Sequence, residues 1–342
     1  KRMHAAKDYS GAEIMRTLRD EVLNREIPVV DFTVAIEIIL DDEGKAAGAV
    51  LMNMETKEIL VAKAKTVIIA TGGFIQNEGM LRDYYSGSVM YGTGNQYNDG
   101  AGIRLAQSAG HTIVPPTPSL VPLEEAGDTC AQMQGLSLKN VTLTLKNQKK
   151  KVVFQEQGEM LFTHFGLSGP LVLSASAHAN WSRDTYTAVL DLKPALEEEK
   201  LEARILRDIA QAPNKAFHNF LEGLLPRRMV PVMGARVDIA PDLPVNALTK
   251  AQRRRLVEAM KHFALPLAGP RPIREAIVTA GGVKTGEVDP GTMMSKKTAG
   301  LFFAGEILDL DAYTGGFNLQ IAWCTGRAAG EGAARYSKEE RE

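Results

Sequence analysis

The feature that most constrains this chain is the run Thr66-Val-Ile-Ile-Ala70, which stops at Thr71-Gly72-Gly73. An unbroken apolar run of strand length predicts a strand buried on both faces, as in a parallel sheet. Its carboxyl end opens onto glycine, and ligands favour that edge of an α/β sheet because bare backbone can approach them closely. The pattern returns twice. Gly300-Leu-Phe-Phe-Ala-Gly305-Glu306 is a strand ending in glycine, followed by a carboxylate suited to accept hydrogen bonds from the hydroxyls of a sugar or sugar alcohol. Thr314-Gly315-Gly316-Phe317-Asn318 sets two glycines ahead of a helix expected from about Asn318 to Arg335, whose first N–H groups and positive dipole end suit an electron-rich ligand atom. Singly, these are a tight turn, a solvated acid and a helix-start loop. Three of them in one α/β domain point to a nucleotide or a flavin. A complete G-x-G-x-x-G is not seen: Gly92-x-Gly94 and Gly100-x-Gly102 carry Tyr97 and Leu105 at the third glycine position, so the diphosphate cradle is missing.

The rest of the chain divides around these turns. Gly11 to Asn24 repeats Ile14, Met15, Leu18, Val22 and Leu23 at helical spacing. Pro28 to Phe32, Val34 to Leu40, Gly48 to Met54 and Ile59 to Val61 read as a small antiparallel ribbon with a turn at Asp41 to Gly44. Asp99-Gly100 precedes a second helical stripe, Ile103 to Ala109, which stops at Gly110. From Pro115 to about Leu192 an all-β insert is expected, with strands at Val141 to Leu145, Val152 to Phe154, Leu171 to Ser174 and Ala188 to Leu192. Helices follow at Glu197 to Ile209, Lys215 to Leu225 and Lys250 to Phe263, with Thr249 or Asn246 as caps. Pro266, Pro270 and Pro272 mark a return linker, and Glu275 to Thr279 and Leu301 to Ala304 return to strand.

Composition narrows the function classes. The 342 residues can bury a core, on the size prior as two domains. Forty basic against 41 acidic side chains give a net charge of -1, so no global field draws in nucleic acid or an anionic membrane. The runs Lys149 to Lys151 and Arg253 to Arg255 read as solvated faces. No apolar stretch approaches the roughly 18 to 20 residues of a membrane helix. Cys130 and Cys324 form no CxxC and no metal spacing, which argues for a reducing compartment and against structural zinc. These readings lead us to expect a cytoplasmic protein with a small-molecule substrate, no nucleic-acid or membrane partner and no metal; they leave the oligomeric state open.

The motifs Val67-Ile-Ile-Ala-Thr-Gly-Gly73, Leu161-Phe-Thr-His-Phe-Gly-Leu-Ser-Gly-Pro170, Val278-Thr-Ala-Gly-Gly-Val283, Gly300 to Asp309 and Thr314-Gly-Gly-Phe-Asn-Leu-Gln320 together resemble the BaiN-like, aminoacetone-oxidase-like family of FAD-dependent flavoproteins. Order and spacing match from about residue 66 to 335. The first 65 residues, notably Lys1 to His4, Asp8, Gly11 and Ala49 to Met54, are more similar to fumarate reductase and succinate dehydrogenase flavoprotein subunits. The resemblance implies an α/β fold: an FAD/NAD(P)-binding Rossmann-like domain, shortened at its N-terminal dinucleotide-binding part, with an inserted β-barrel-plus-helical domain. The expected division is 1–118 and 273–342 for the FAD-binding domain and 119–272 for the insert. FAD is the implied cofactor, with NAD(P)H as a candidate electron donor.

Residue by residue, the resemblance implies that Ala35 offers backbone to the adenine and that Ala70, Thr71, Gly72 and Gly73 pass near the adenosine diphosphate. Gly305 and Glu306 would meet the ribityl chain. Gly315, Gly316, Phe317, Asn318 and Leu319 would face the pyrimidine edge of the flavin. His164 sits in a loop of the insert that would cover the reactive face, as a proton donor, an orienting group or a structural histidine. Thr163, Gly282 and Tyr313 are candidate substrate contacts. Asp309 and Asp311 read as loop and cap acids, and His111 as structural. The expected activity is hydride transfer between a small organic substrate and flavin N5. A non-catalytic flavin-binding scaffold and a fumarate-reductase-like or tRNA-modifying flavoenzyme stand as alternatives.

Overall fold

The computed structural model describes residues 10–73 and 101–340. In chain order, helix α1 (Ser10–Asn24) precedes strands β1 (Thr33–Leu40), β2 (Ala46–Asn53), β3 (Ile59–Lys63) and β4 (Val67–Ile69). Helix α2 (Ala101–Ser108) leads into β5 (Ile113–Ser119), β6 (Leu123–Glu125), α3 (Thr129–Gln132), β7 (Ser137–Asn147), β8 (Val152–Phe162) and β9 (Gly166–Ser168). Then come α4 (Pro170–Ser176), β10 (Tyr186–Asp191), α5 (Glu198–Gln211), α6 (Phe217–Leu221), α7 (Val230–Val237) and α8 (Lys250–Lys261). The chain closes with β11 (Phe263–Pro270), β12 (Val278–Val283), β13 (Leu301–Phe303) and α9 (Phe317–Glu339). Residues 10–73, 101–116 and 280–340 form one compact unit, and Thr117–Thr279 another.

In the first unit, β1, β2 and β3 make the expected antiparallel sheet, with Asp41 Oδ1 accepting the Glu43 and Lys45 amides in its turn. Pro28 to Phe32 is not a strand. Phe32 takes a left-handed φ of 53° immediately before β1, and its carbonyl accepts the Met54 amide across the end of the sheet. Strands β4 and β13 pair in parallel, Leu301 to Val67 through Phe303 to Ile69. Phe302 and Phe303 are fully buried, but Ile68 is 41% exposed, so β4 is covered less completely than its apolar run predicts. Helix α1 likewise leaves Met15, Leu18 and Leu23 exposed. The incomplete Gly92-x-Gly94 fingerprint, Asp99-Gly100 and the first residues, Lys1 to His4 and Asp8, lie outside the described residues.

The second unit is a closed six-stranded barrel, in the order β10-β11-β6-β9-β8-β7, joined to a helical group. Strand β10 shows how sequence closes it: Tyr186, Ala188 and Leu190 alternate inward while Thr187, Val189 and Asp191 are half-buried on the other face. Phe162, Phe217 and Phe263 are fully buried in one continuous core with Leu201, Leu256 and Met260 of the helices. Full burial of each such side chain contributes about 1.5 to 3 kcal/mol. Thr249 caps α8 with a capping box, its side chain accepting the Gln252 amide.

Two expectations fail here. Leu171 to Ser174 is helix, because Gly169 (φ 92°) turns the chain and Pro170 occupies the first helical turn, where its missing N–H costs nothing. The prolines taken as a return linker lie in or beside β11, a barrel strand. Pro266 pairs with Thr187, and a register irregularity between Leu267 and Gly269 precedes Pro270.

Candidate functional site

Two of the three glycine turns meet in the first unit. At the carboxyl ends of β4 and β13, the Ala304 amide donates to the Ile69 carbonyl at 3.1 Å, which sets Ala70 and Thr71 beside Ala304 and Gly305. The Gly305 amide donates to Thr325 Oγ1 of α9 at 2.9 Å, and Thr325 in turn donates to the Ile321 carbonyl at 2.7 Å. Glu306 follows, half-buried, in a 3₁₀ turn. Helix α2 closes on the same edge at its first turn: a Cβ at Gly102 would overlap the Thr71 hydroxyl, so only glycine allows this approach. Gly72 and Gly73 complete the turn, Gly73 buried.

The third turn opens α9. Gly316 is its N-cap in a left-handed conformation (φ 87°), and the first helical bond is donated by Gln320 to the Gly316 carbonyl. The amides of Phe317, Asn318 and Leu319 therefore stand ahead of the intrahelical ladder, at the positive end of a 23-residue helix. The Asn318 side chain locks the approach, accepting from the Ala312 amide at 2.9 Å and donating to its carbonyl at 2.8 Å. Tyr313, Phe317 and Leu319 are exposed beside it.

Gly282 sits nearby on β12. With φ 124° and a hypothetical Cβ only 2.5 Å from the Ile307 carbonyl oxygen, it lets β12 lie against Ile307 and Leu308. The Asp309 amide donates to Val283 at 2.9 Å, and burial holds the Asp309 carboxyl above its ordinary range while the Gly281 N–H and the neighbouring Asp311 act on it more weakly. Ala35 lies elsewhere in the unit, paired with Leu51 at an irregularity in β1.

His111 is packed inside the same unit. Ser295 Oγ accepts the Lys297 amide at 3.0 Å and the Thr298 amide at 2.8 Å, so its hydroxyl proton goes to His111 Nε2, 2.8 Å away. That fixes a neutral ring with its proton on Nδ1, facing Glu287 Oε2 at 3.3 Å without hydrogen-bond alignment. Burial lowers the histidine's pKa against the opposing pull of Glu287, and Lys297 adds to the lowering. The Thr112 hydrogen bonds, chiefly, hold the Glu287 carboxyl down at about 2 despite its partial burial.

Thr163 and His164 belong to the second unit, in the turn between β8 and β9. The Thr163 hydroxyl donates to the Gly166 carbonyl at 3.0 Å and accepts the Gly166 amide at 3.1 Å, so Thr163 holds the loop shut. His164 is exposed and edge-on to Phe165, with centroids 5.0 Å apart. The Arg271 guanidinium lies 4.6 Å above the Phe165 ring and is anchored by Glu275 through two bonds (2.7 and 2.9 Å) and by Glu124 at 2.5 Å. Sequence reading missed Arg271, Thr325 and Gly102. The first two have no local motif, while the third was noted only as part of an incomplete fingerprint.

Residues 117–278 match the family model described as the HI0933-like protein barrel and H2TH domain, and residues 1–123 match an FAD binding domain. The chain is 32% identical over 240 residues to a 3-dehydro-bile acid delta(4,6)-reductase of Clostridium scindens, covering 69% of this chain and 58% of that protein. It is 31% identical over 268 residues to a ribosomal RNA dihydrouridine synthase of Haemophilus influenzae, covering 78% and 59%. It thus spans a little over half the length of these relatives. A flavocytochrome c3 fumarate reductase structure aligns over 97% of this chain and 57% of its own, at 16% identity and a TM-score of 0.48. The family cofactor is FAD. The half-buried Glu306 carboxylate and the glycine-capped amides of α9 suit its ribityl and pyrimidine end. With a Rossmann-like FAD-binding part and an HI0933-like barrel, the chain belongs to the BaiN-like FAD flavoproteins.

Proposed function

We propose that this chain carries the flavin-holding and substrate-facing parts of an FAD-dependent oxidoreductase that moves a hydride between a small organic molecule and flavin N5. The observation that carries the reading is the shared edge of β4, β13 and α9, where Gly305 is bonded to Thr325 and the α9 amides stand open. Bound flavin supplies a two-electron hydride carrier. Around it, Glu306 accepts from ribityl hydroxyls, the Phe317 to Leu319 amides stabilise negative charge on the pyrimidine edge, and Ala70 to Gly73 and Ala35 present backbone to the adenosine end. In this proposal His164, exposed on its braced turn, donates a proton to substrate or orients it, with Thr163 fixing the turn and Tyr313 and Gly282 as further substrate contacts. The name of the bile-acid relative supports a small-molecule substrate.

A second reading, reduction of an RNA base, is favoured by the ribosomal RNA dihydrouridine synthases among the relatives, and a salt-sensitive affinity for RNA would select it. The test of the first reading is stopped-flow flavin reduction and reoxidation with NADH or NADPH and a substrate found by screening enones and amines. His164→Ala should leave flavin content unchanged and lower kcat by about 10²- to 10⁴-fold if His164 donates a proton. If it orients substrate, KM rises instead. Unaltered rates and KM with a lowered melting temperature would return His164 to a structural role.

A further inference from the structure

Strand β7 is not regular. Between Leu138 and Val141 its pairing with β8 slips, leaving Lys139 and Asn140 outside the ladder. Such bulges re-aim side chains and often lie beside functional sites. At this one a cavity of about 220 Å³ opens, floored by the buried Leu138, Leu192, Leu225 and Met229 and rimmed by Lys139 and Lys193.

Lys193 has no acidic partner among the described residues. The carboxylate closest in sequence, Asp191, accepts the Lys193 backbone amide through Oδ1 at 2.9 Å and the Lys261 ammonium through Oδ2 at 2.6 Å. Lys261 also donates to the carbonyls of Lys193 (3.2 Å) and Leu196 (2.7 Å), so it is fixed in place and Asp191 with it. Lys193, half-buried, lines the cavity. Burial, and then the like charge of Arg204, hold its pKa below the ordinary 10.5. Arg204 is itself paired with Asp208 at 3.5 Å. A partly desolvated cation without a counter-charge, at the lip of an apolar floor, is half of an ion pair.

The missing half should be an anion with an apolar tail. Among the described residues no arginine lines the cavity to grip a phosphate dianion, and the volume is below the roughly 300 Å³ at which drug-sized ligands begin. We propose that the cavity at the β7 bulge binds a small aliphatic carboxylate, its head group on Lys193 and its tail against Leu192, Leu225 and Met229.

The test is calorimetric titration of the full chain with butanoate and hexanoate, with hexanol and inorganic phosphate as controls. Hexanoate should bind saturably and more tightly than butanoate, and the two controls should not displace it. Lys193→Met, which keeps the stem and removes the charge, should weaken hexanoate at least tenfold. Leu225→Trp, which fills the cavity and leaves Lys193 in place, should do the same, so the conclusion does not depend on one variant folding. Absence of saturable binding, displacement by phosphate, or equal affinity in both folded variants would overturn the proposal.

Discussion

Replacing Arg271 with methionine tests whether the turn carrying His164 is held by charge. The substitution keeps an unbranched stem against Phe165 and removes three charge-assisted bonds, two to Glu275 and one to Glu124. It also leaves two carboxylates, 24% and 36% exposed, with only Arg274 among the described residues, 3.9 Å from Glu275, in compensation. Buried charge-assisted bonds are worth about 1.5 to 3 kcal/mol each, but groups this exposed are screened. A total of about 2 to 4 kcal/mol follows, or roughly 5 to 15 °C in the melting temperature of a unit this size. Urea unfolding of a Trp323→Phe background isolates the signal of Trp181, which packs edge-on to Tyr186 in the same unit. Arg271→Lys should fall between, since one ammonium cannot grip both carboxylates in their present places. A loss below about 0.5 kcal/mol at pH 7, or an Arg271→Lys variant no more stable than Arg271→Met, would refute the reasoning.

Two further outcomes follow from the first unit. Gly282→Ala combines a disfavoured φ of 124° with a Cβ 2.5 Å from the Ile307 oxygen, so it should destabilise that unit by about 3 kcal/mol or more; an unchanged melting temperature would show that β12 does not lie against Ile307. His111 has a lowered pKa, so the stability it contributes is present above its unfolded value of 6.5 and is lost as pH falls below it. Between pH 7 and 5 the unit's melting temperature should drop more steeply in the parent than in His111→Gln, while the Glu287 contribution, set by a pKa near 2, is lost only below about pH 4.5. Parallel pH profiles for parent and variant would remove His111 from the account.

The turns that build the candidate site were legible in the sequence because glycine marks them. The turns at 71–73, 305 and 315–316 could be read from residue type, since each stands at the end of an apolar run or ahead of a helical pattern. Leu171 to Ser174 was misread because a run of three apolar residues fits a strand and a buried helix equally; the deciding signal was the Gly169-Pro170 pair. The strand at Phe263–Pro270 was hidden by its prolines, which a barrel accommodates where the ladder is irregular. The bracing of Phe165 by Arg271 spans 106 positions and carries no local pattern, so only the folded barrel reveals it.

The central claim is that the edge formed by β4, β13 and α9 holds the flavin, and FAD titration of Glu306→Ala tests it most directly. Flavin fluorescence should report only weak binding to the 342-residue chain, in which no complete glycine cradle for the diphosphate is seen. Glu306→Ala should weaken it by about 1.5 to 3 kcal/mol, roughly ten- to hundredfold, because it removes a charged hydrogen-bond acceptor for the ribityl hydroxyls. Asp309→Ala and Asp311→Ala should change it less. Equal affinities for all three variants, or tightly held stoichiometric FAD on a chain without the glycine cradle, would contradict the account.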